Sequence, residues 1–336
     1  MVGTTTNSSG PARVDFHHHI FPGGELAELL QGSLIAQSGW RFPGGGARWT
    51  PESSLAFMDG LGIQTAILSL PNDLEQTLPA ERRPDFARRV NMLAKQTVED
   101  HPGRFGFFAH LPTPTDVDAA LEELTYALDD LGADGITLTN VYGTGENARS
   151  LGDKLFEPLW AELDRRGALV FLHGEQTPGR NPMPNRFLPT PVSEVPNETY
   201  KGAADLVTSG RKRQFPNVRI ILSHSGGSTP FLAARVAVLS NYLGCELTPE
   251  EIIADFRTFY FETALSGFET NLVALENFVP PEQILFGTDF PAVSPEMAGW
   301  YTDNVDTYFT ARPELLAQVM HGNAHTLLPR LAPATR

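Results

Sequence analysis

Short apolar runs alternate along this chain with longer stretches whose apolar residues recur every three or four positions. The runs are ARVDFHHH (12–19), TAILSL (65–70), RFGFFAHL (104–111), ADGITLTN (133–140), ALVFLHG (168–174), VRIILSHS (218–225), FYFETAL (259–265) and ILFGTDFP (284–291). Several are almost continuous Val, Ile, Leu and Phe, as in strands buried on both faces of a parallel sheet. Between them the spacing predicts helices. One covers Asp116 to Leu131, with Val117, Leu121, Leu124, Leu128 and Leu131 on one face and Asp116 as N-cap. Another opens at Thr50-Pro51-Glu52, with proline at the first helical position. Eight strand–helix units predict one α/β domain, a (β/α)8 TIM-type barrel over residues 13–330, behind a flexible tail at 1–12. A doubly wound open sheet is the competing arrangement. Two connections, Pro22 to Trp49 and Gln176 to Asn197, are long for barrel loops and are expected to act as lids or substrate walls.

The polar residues at the ends of these runs change the picture. Consecutive strand side chains face opposite ways, so His17 and His19 share one face and His18 points away from both. His173 ends the fifth run, His224 the sixth and Asp289 the eighth. All strands of a barrel point the same way, so these groups gather at the mouth where barrel active sites lie. Neutral imidazole and carboxylate suit zinc, iron or manganese. Two histidines two apart on a strand make a clamp that groups from other strands can complete. Each residue also has an ordinary reading. A strand-end histidine is commonly a packed core or loop residue, Asp289 could cap the next helix, and a histidine triplet can be a tag remnant. The triplet sits inside a strand among Val14, Phe16 and Ile20, which argues against a tag. The coincidence at several strand ends favours a metal site. His18 is expected to be a wall or supporting residue, His101 and His110 to be structural, and His321 and His325 to be surface or packing residues of a late helix.

Composition narrows the partners. The 336 residues include 25 basic and 40 acidic side chains, a net charge of -15. Such a chain repels nucleic acid and anionic membranes, so neither is expected as a partner. A small anionic substrate would need an arginine or a metal to overcome the field. The single cysteine, Cys245, excludes an intrachain disulfide and a cysteine-based zinc site. No apolar run approaches the roughly 20 residues of a membrane span, and the N-terminus has no signal-like apolar core, so a cytoplasmic protein is expected. Gly44-Gly45-Gly46 follows no strand and is no dinucleotide fingerprint, so no organic cofactor is expected.

Several matching pieces stand in order along the chain. They are Asp15-x-His17-x-His19-x-x-Pro22, LFEPLWAELDRRGALVFLHG ending near His173, His224-Ser225-Gly226-Gly227, Gly287-Thr288-Asp289-Phe290-Pro291 and Gly322-Asn323-Ala324. In these the chain resembles the amidohydrolase superfamily, in the branch typified by aminocarboxymuconate-semialdehyde decarboxylase, from about residue 14 to 328. HHH, WTPESSLAFMDGLGI and TDFP look closest to the 6-methylsalicylate decarboxylases of secondary metabolism. The resemblance implies a distorted barrel and one divalent metal, zinc first and manganese as the alternative. His17, His19, His173 and Asp289 would hold it, with His224 beside its water or substrate. It also implies a homodimer or homotetramer in which Arg235, eleven residues after His224, reaches the neighbouring subunit's site and binds a substrate carboxylate. A second substrate arginine of the branch has no clean match, Arg41 and Arg48 being the nearby candidates. Superfamily members with two metals bridge them with a lysine ending strand four. The fourth run ends Thr137-Leu138-Thr139-Asn140, and none of Lys95, Lys154, Lys201 and Lys212 ends a predicted strand.

Two reactions fit this set. In one, a salicylate-type acid chelates the metal and loses carbon dioxide, with His224 and Asp289 as the catalytic proton carriers and the aromatic residues Trp40, Phe42, Trp49, Phe187 and Phe290 as walls for its ring. In the other, metal-activated water hydrolyses an amide, ester or lactone with the same ligands. The branch implies the first. A metal-dependent sensor or an inactive barrel is a third reading, which the complete ligand set disfavours.

Overall fold

Strands that are neighbours along the chain are neighbours in space. β1 (Arg13–His19), β2 (Ile63–Ser69), β3 (Phe105–Ala109), β4 (Gly135–Thr139), β5 (Leu169–His173), β6 (Arg219–Leu222), β7 (Tyr260–Glu262) and β8 (Ile284–Leu285) form one eight-stranded sheet in chain order. The computed structural model describes residues 12–29, 38–42, 49–71, 74–176 and 184–332. The predicted tail up to residue 11, Gly44-Gly45-Gly46, Arg48 and parts of both long connections lie outside the described residues.

The last run is the one that departs from expectation. Regular pairing of β8 stops at Leu285, yet the chain keeps running beside β1. The Phe16 N–H donates to Phe286 O (3.0 Å), the Asp289 N–H to His17 O (2.7 Å) and the His19 N–H to Phe290 O (2.6 Å). A parallel bridge joins His18 to Phe290. This seam joins the first strand to the last and makes the sheet a (β/α)8 barrel. A doubly wound sheet would leave both as open edges.

Helices follow the strands in turn: α1 (Pro51–Gly60), α2 (Arg83–Asp100), α3 (Val117–Asp129), α4 (Glu157–Arg166), α5 (Thr190–Thr208), α6 (Thr229–Tyr242), α7 (Glu269–Phe278) and α8 (Pro295–Phe309). Local sequence explains their starts. Thr50 Oγ1 accepts from the Ser53 N–H (3.1 Å) while Ser53 Oγ accepts from the Thr50 N–H (3.0 Å), a reciprocal cap ahead of Pro51. Asp116 accepts from the Ala119 N–H (3.2 Å) at the head of α3. No helix among the described residues is long and apolar enough to cross a membrane.

The core has two layers. Val14, Phe16, Ile67, Phe108, Phe171 and Ile221 fill the barrel, with Ala324 and Leu327 of the C-terminal helix α9 (Asn323–Leu327) packed against them. Arg219, at the start of β6, donates to Leu327 O (3.1 Å), so α9 covers the end where strands begin and leaves the other end for the site. A larger cluster fills the space between strands and helices. His110 is fully buried against Glu75. The His101 ring sits edge-on to Phe105, and His321 lies beside His325 on partly exposed surface.

Phe171 is fully buried, stacks on Phe108 at 5.7 Å and supports the His17 ring at 5.0 Å. Phe171→Ala is therefore expected to cost about 3–5 kcal/mol. Chemical denaturation reads this directly, and an unshifted midpoint would contradict a packed barrel interior.

Candidate metal centre

Strict alternation along β1 would put Phe16 and His17 on opposite faces. The structure puts both inside the barrel. The pairing of β1 with β2 slips between Asp15 and His18, so three residues of β1 span what two cover on β2. Asp15 and His18 then share the outer side. Asp15, fully buried, accepts from the His17 N–H (3.0 Å), His18 Nδ1–H (3.0 Å), Thr288 N–H (3.0 Å) and Thr288 Oγ1–H (2.6 Å). His18 Nε2 in turn accepts from Ser54 Oγ–H (2.8 Å), which ties β1 to α1. His18 is a supporting residue, and Asp15 clips the first strand to the segment that carries Asp289.

On the inner side the predicted groups converge. His17 Nε2 lies 3.0 Å from His19 Nε2 and 3.2 Å from Asp289 Oδ1, and His19 Nε2 lies 3.1 Å from that same oxygen. Ligand atoms of His17, His19 and His173 all fall within 4.8 Å of one another. A tetrahedral site with metal–nitrogen bonds of 2.0–2.1 Å has edges of roughly 3.3 Å.

Tautomers supply the test of fit. His17 Nδ1–H donates to Glu262 (2.8 Å), His19 Nδ1–H to Ser69 O (3.2 Å), His173 Nδ1–H to Gly174 O (2.8 Å) and His224 Nδ1–H to Ala264 O (3.2 Å). Each acceptor is an oxygen with no proton to give, so each imidazole must be the donor there. In its neutral form each imidazole then turns an Nε2 lone pair toward the others and toward Asp289, and such facing lone pairs beside a carboxylate call for a proton or a cation. The residues fit a divalent metal.

The electrostatics agree. Burial opposes charge on His17, but Glu262 and Asp289 outweigh it and raise its pKa to about 10. Burial lowers His19 and His224, and it pushes His173 well below the usual range with help from the charge on His17. Burial alone would raise Asp289, yet the charge on His17 and its hydrogen bonds hold it well below an ordinary carboxyl. A proton on His17 supplies the kind of positive charge that a cation would bring.

The loops that present these groups are unusual. His224, Ser225, Leu265 and Asp289 all have φ between 52 and 66°. Such left-handed positions cost non-glycine residues about 1–3 kcal/mol each and cluster at functional sites. After His224, a Cβ on Gly227 would stand 1.8 Å from Pro196 O, which explains the glycine there.

A cavity of about 230 Å³ opens over this floor, with His19, His173, His224 and Asp289 exposed to it. Trp40 and Phe42 form walls as expected, and Phe21, Leu265 and Tyr301 join them. Three predicted walls are corrected. Trp49 is buried in the strand–helix core, and Phe290 lies against Phe57 (4.3 Å) and His18 (4.8 Å) on the outer side of the seam. Asp289 turns inward, so its neighbour faces out. Phe187 is exposed and is not among the lining residues. Arg235 is exposed on α6, away from its own chain's cavity, and Arg41 is exposed too. Thr139 ends β4 and is buried. The residue that sequence reasoning missed is Glu262. Its signal was an acid in the middle of the apolar run FYFETAL.

Elemental analysis should find one divalent metal per wild-type chain and little in His17→Ala or His173→Ala, with folding retained. Binding should tighten as pH rises, because the cation displaces a proton from His17. Full activity of metal-free protein in chelator would refute the site.

Known proteins resemble this chain along nearly its whole length. Decarboxylase macB of Penicillium terrestre is 40% identical over 95% of this chain and 95% of its own. The 6-methylsalicylic acid decarboxylase acuB of Aspergillus aculeatus is 39% identical over 95% of this chain and 96% of its own. Among solved structures, an amidohydrolase II superposes with a TM-score of 0.82 at 25% identity, over 95% of this chain and 100% of that one. The amidohydrolase family profile matches residues 14–330, and the chain belongs to that family.

Proposed function

We propose that this enzyme removes the carboxyl group of a salicylate-type acid, with 6-methylsalicylate as first substrate and 3-methylphenol and carbon dioxide as products. Three relatives that match 95% of this chain are named decarboxylases, two of them of 6-methylsalicylic acid. The cavity carries the finer reading. Its floor offers a cation site, and the walls above are Phe21, Trp40, Phe42, Val195 and Leu265. No lysine or arginine lines it among the described residues. A flat ring with one anionic edge suits that division, and a methyl group suits the apolar wall better than a second carboxylate does.

A divalent cation, zinc first and manganese as the alternative, would be held by His17, His19, His173 and Asp289 and would supply Lewis-acid charge to the adjacent hydroxyl and carboxylate of an ortho-hydroxy acid. The chain's own groups do the rest. The aromatic walls hold the ring and exclude water. Trp40 is fixed by donating Nε1–H to Ala292 O (3.0 Å). The ring carbon bearing the carboxylate must gain a proton. The carbon–carbon bond then breaks, its electron pair restores the aromatic ring and carbon dioxide leaves without any redox partner. His224 and Asp289 face the cavity and are the groups able to pass that proton. His224 acts through Nε2, because Nδ1 is committed to Ala264.

We also infer a homodimer, or a tetramer built from it, joined through the outer face of α6. That face exposes Phe231 (61%), Val238 (57%) and Tyr242 (83%) around Arg235. Apolar exposure of this extent marks an interaction surface. A partner docked there brings Arg235 toward a cavity that has no described cationic wall of its own.

Two experiments test these readings. Hydroxybenzoates incubated in deuterated water should lose carbon dioxide only when a hydroxyl is ortho, with one deuterium on the carbon that bore the carboxylate. His224→Asn should keep its metal and lose roughly 100-fold or more in turnover. Hydrolysis of an ester, lactone or amide with no carbon dioxide from any ortho-hydroxy acid would overturn the decarboxylase reading. Separately, Arg235→Ala mixed with His173→Ala should regain activity in exchanged heterodimers. No regain would return Arg235 to its own subunit or to plain surface.

A further inference from the structure

Glu262 ends β7 with no exposed surface, yet it lines no wall and belongs to no predicted ligand set. Its hydrogen bonds join three segments of the site. Oε1 accepts from His17 Nδ1–H (2.8 Å) and from the backbone N–H of His224 (2.5 Å). Oε2 accepts from the Ala264 N–H (2.5 Å). Ala264 O is the acceptor that fixes the His224 ring. Space for the carboxylate is made just past β8, where a Cβ on Gly287 would stand 2.2 Å from Glu262 Oε2 and 3.0 Å from the His17 Cβ.

We propose that Glu262 is a positioning residue that orients a metal-binding histidine and the proton-carrying histidine together. Through His17 it holds the proton on Nδ1 and turns Nε2 toward the cation position. A carboxylate behind an imidazole also raises its basicity as a ligand. Through the His224 N–H it holds a turn in which His224 and Ser225 have φ of 53 and 55°, a conformation that side chains other than glycine and asparagine rarely adopt. Metal retention and placement of His224 therefore rest on one carboxylate that touches neither cation nor substrate.

His17, His224 and Glu262 also offer ligand atoms within 4.8 Å of one another, so a second cation at Glu262 is the rival. The hydrogen bonds argue against it. A cation on Oε1 would press on the His224 backbone N–H, which does not ionise, and would need His17 to give up its Nδ1 proton.

This inference rests on the metal-dependent reading, and affinity measurements separate the two. Zinc binding is titrated against a competing chelator for wild-type, Glu262→Gln and Glu262→Ala. In Glu262→Gln the amide keeps the size, but its nitrogen cannot accept the Ala264 N–H. Wild-type should bind one zinc, and both variants should bind it about 10- to 100-fold more weakly. Wild-type that binds no zinc refutes the metal reading itself. Wild-type that binds one zinc while the variants match its affinity overturns only the role of Glu262, and two zinc ions per chain would make Glu262 a ligand. Nitrogen-15 NMR of zinc-loaded wild-type needs no variant to fold. It should show the His17 proton on Nδ1, and a proton on Nε2 would overturn the proposal.

Discussion

The site exists because the last strand is hydrogen-bonded to the first. Residues 286–290 run along β1 through bonds of 2.6–3.0 Å, and Asp15 grips Thr288 from the other side. That seam closes the barrel and also sets Asp289 within 3.2 Å of His17 and His19. Groups 270 or more residues apart in sequence meet at metal-ligand distance only if closure is complete and in register. The bulge in β1 is part of the same constraint, because it turns His17 inward beside Phe16 and frees Asp15 to act as the clip.

Around the seam the polar accounting is consistent. Buried donors and acceptors are costly unless paired. Here the four imidazoles spend their Nδ1 protons on fixed oxygens of Glu262, Ser69, Gly174 and Ala264. What remains unpaired faces one point. Four imidazoles and two carboxylates in a buried cluster are electrostatically poor without positive charge, which is why Glu262 and Asp289 raise the His17 pKa to about 10. The left-handed turns at His224 and Asp289 are held by backbone bonds to Glu262 and His17 O. Such strain persists where surrounding structure over-determines it.

The cavity divides its surface by chemistry. The histidines and Asp289 lie on the floor, and the described walls are mainly aromatic and aliphatic, with Gln176, Ser266 and Tyr301 among them. Water-poor walls strengthen the electrostatic interactions below them, and their flatness favours a planar guest. The same logic runs outward on α6. Its inner face is buried through Ala233 and Ala237, while its outer face keeps Phe231, Val238 and Tyr242 in solvent.

By itself the sequence determined the eight-fold alternation, the helix starts at Thr50 and Asp116, and the chemistry at the strand ends. These are local properties: burial on both faces writes continuous apolar runs, caps need particular side chains, and ligand-type residues stand out against Val, Ile and Leu. It therefore made the candidate metal ligands and His224 legible, since each lies at the end of such a run. Tertiary structure decided what depends on distant partners. Which way Phe290 and Trp49 face follows from the seam and from packing against α1, and two aromatic residues near the right loop look alike in sequence whichever way they turn. Glu262 is the same case in reverse. An acid within an apolar strand was visible, but its role needed His17, His224 and Gly287 to come within hydrogen-bonding or van der Waals reach of it, and only the closed barrel brings those four segments together.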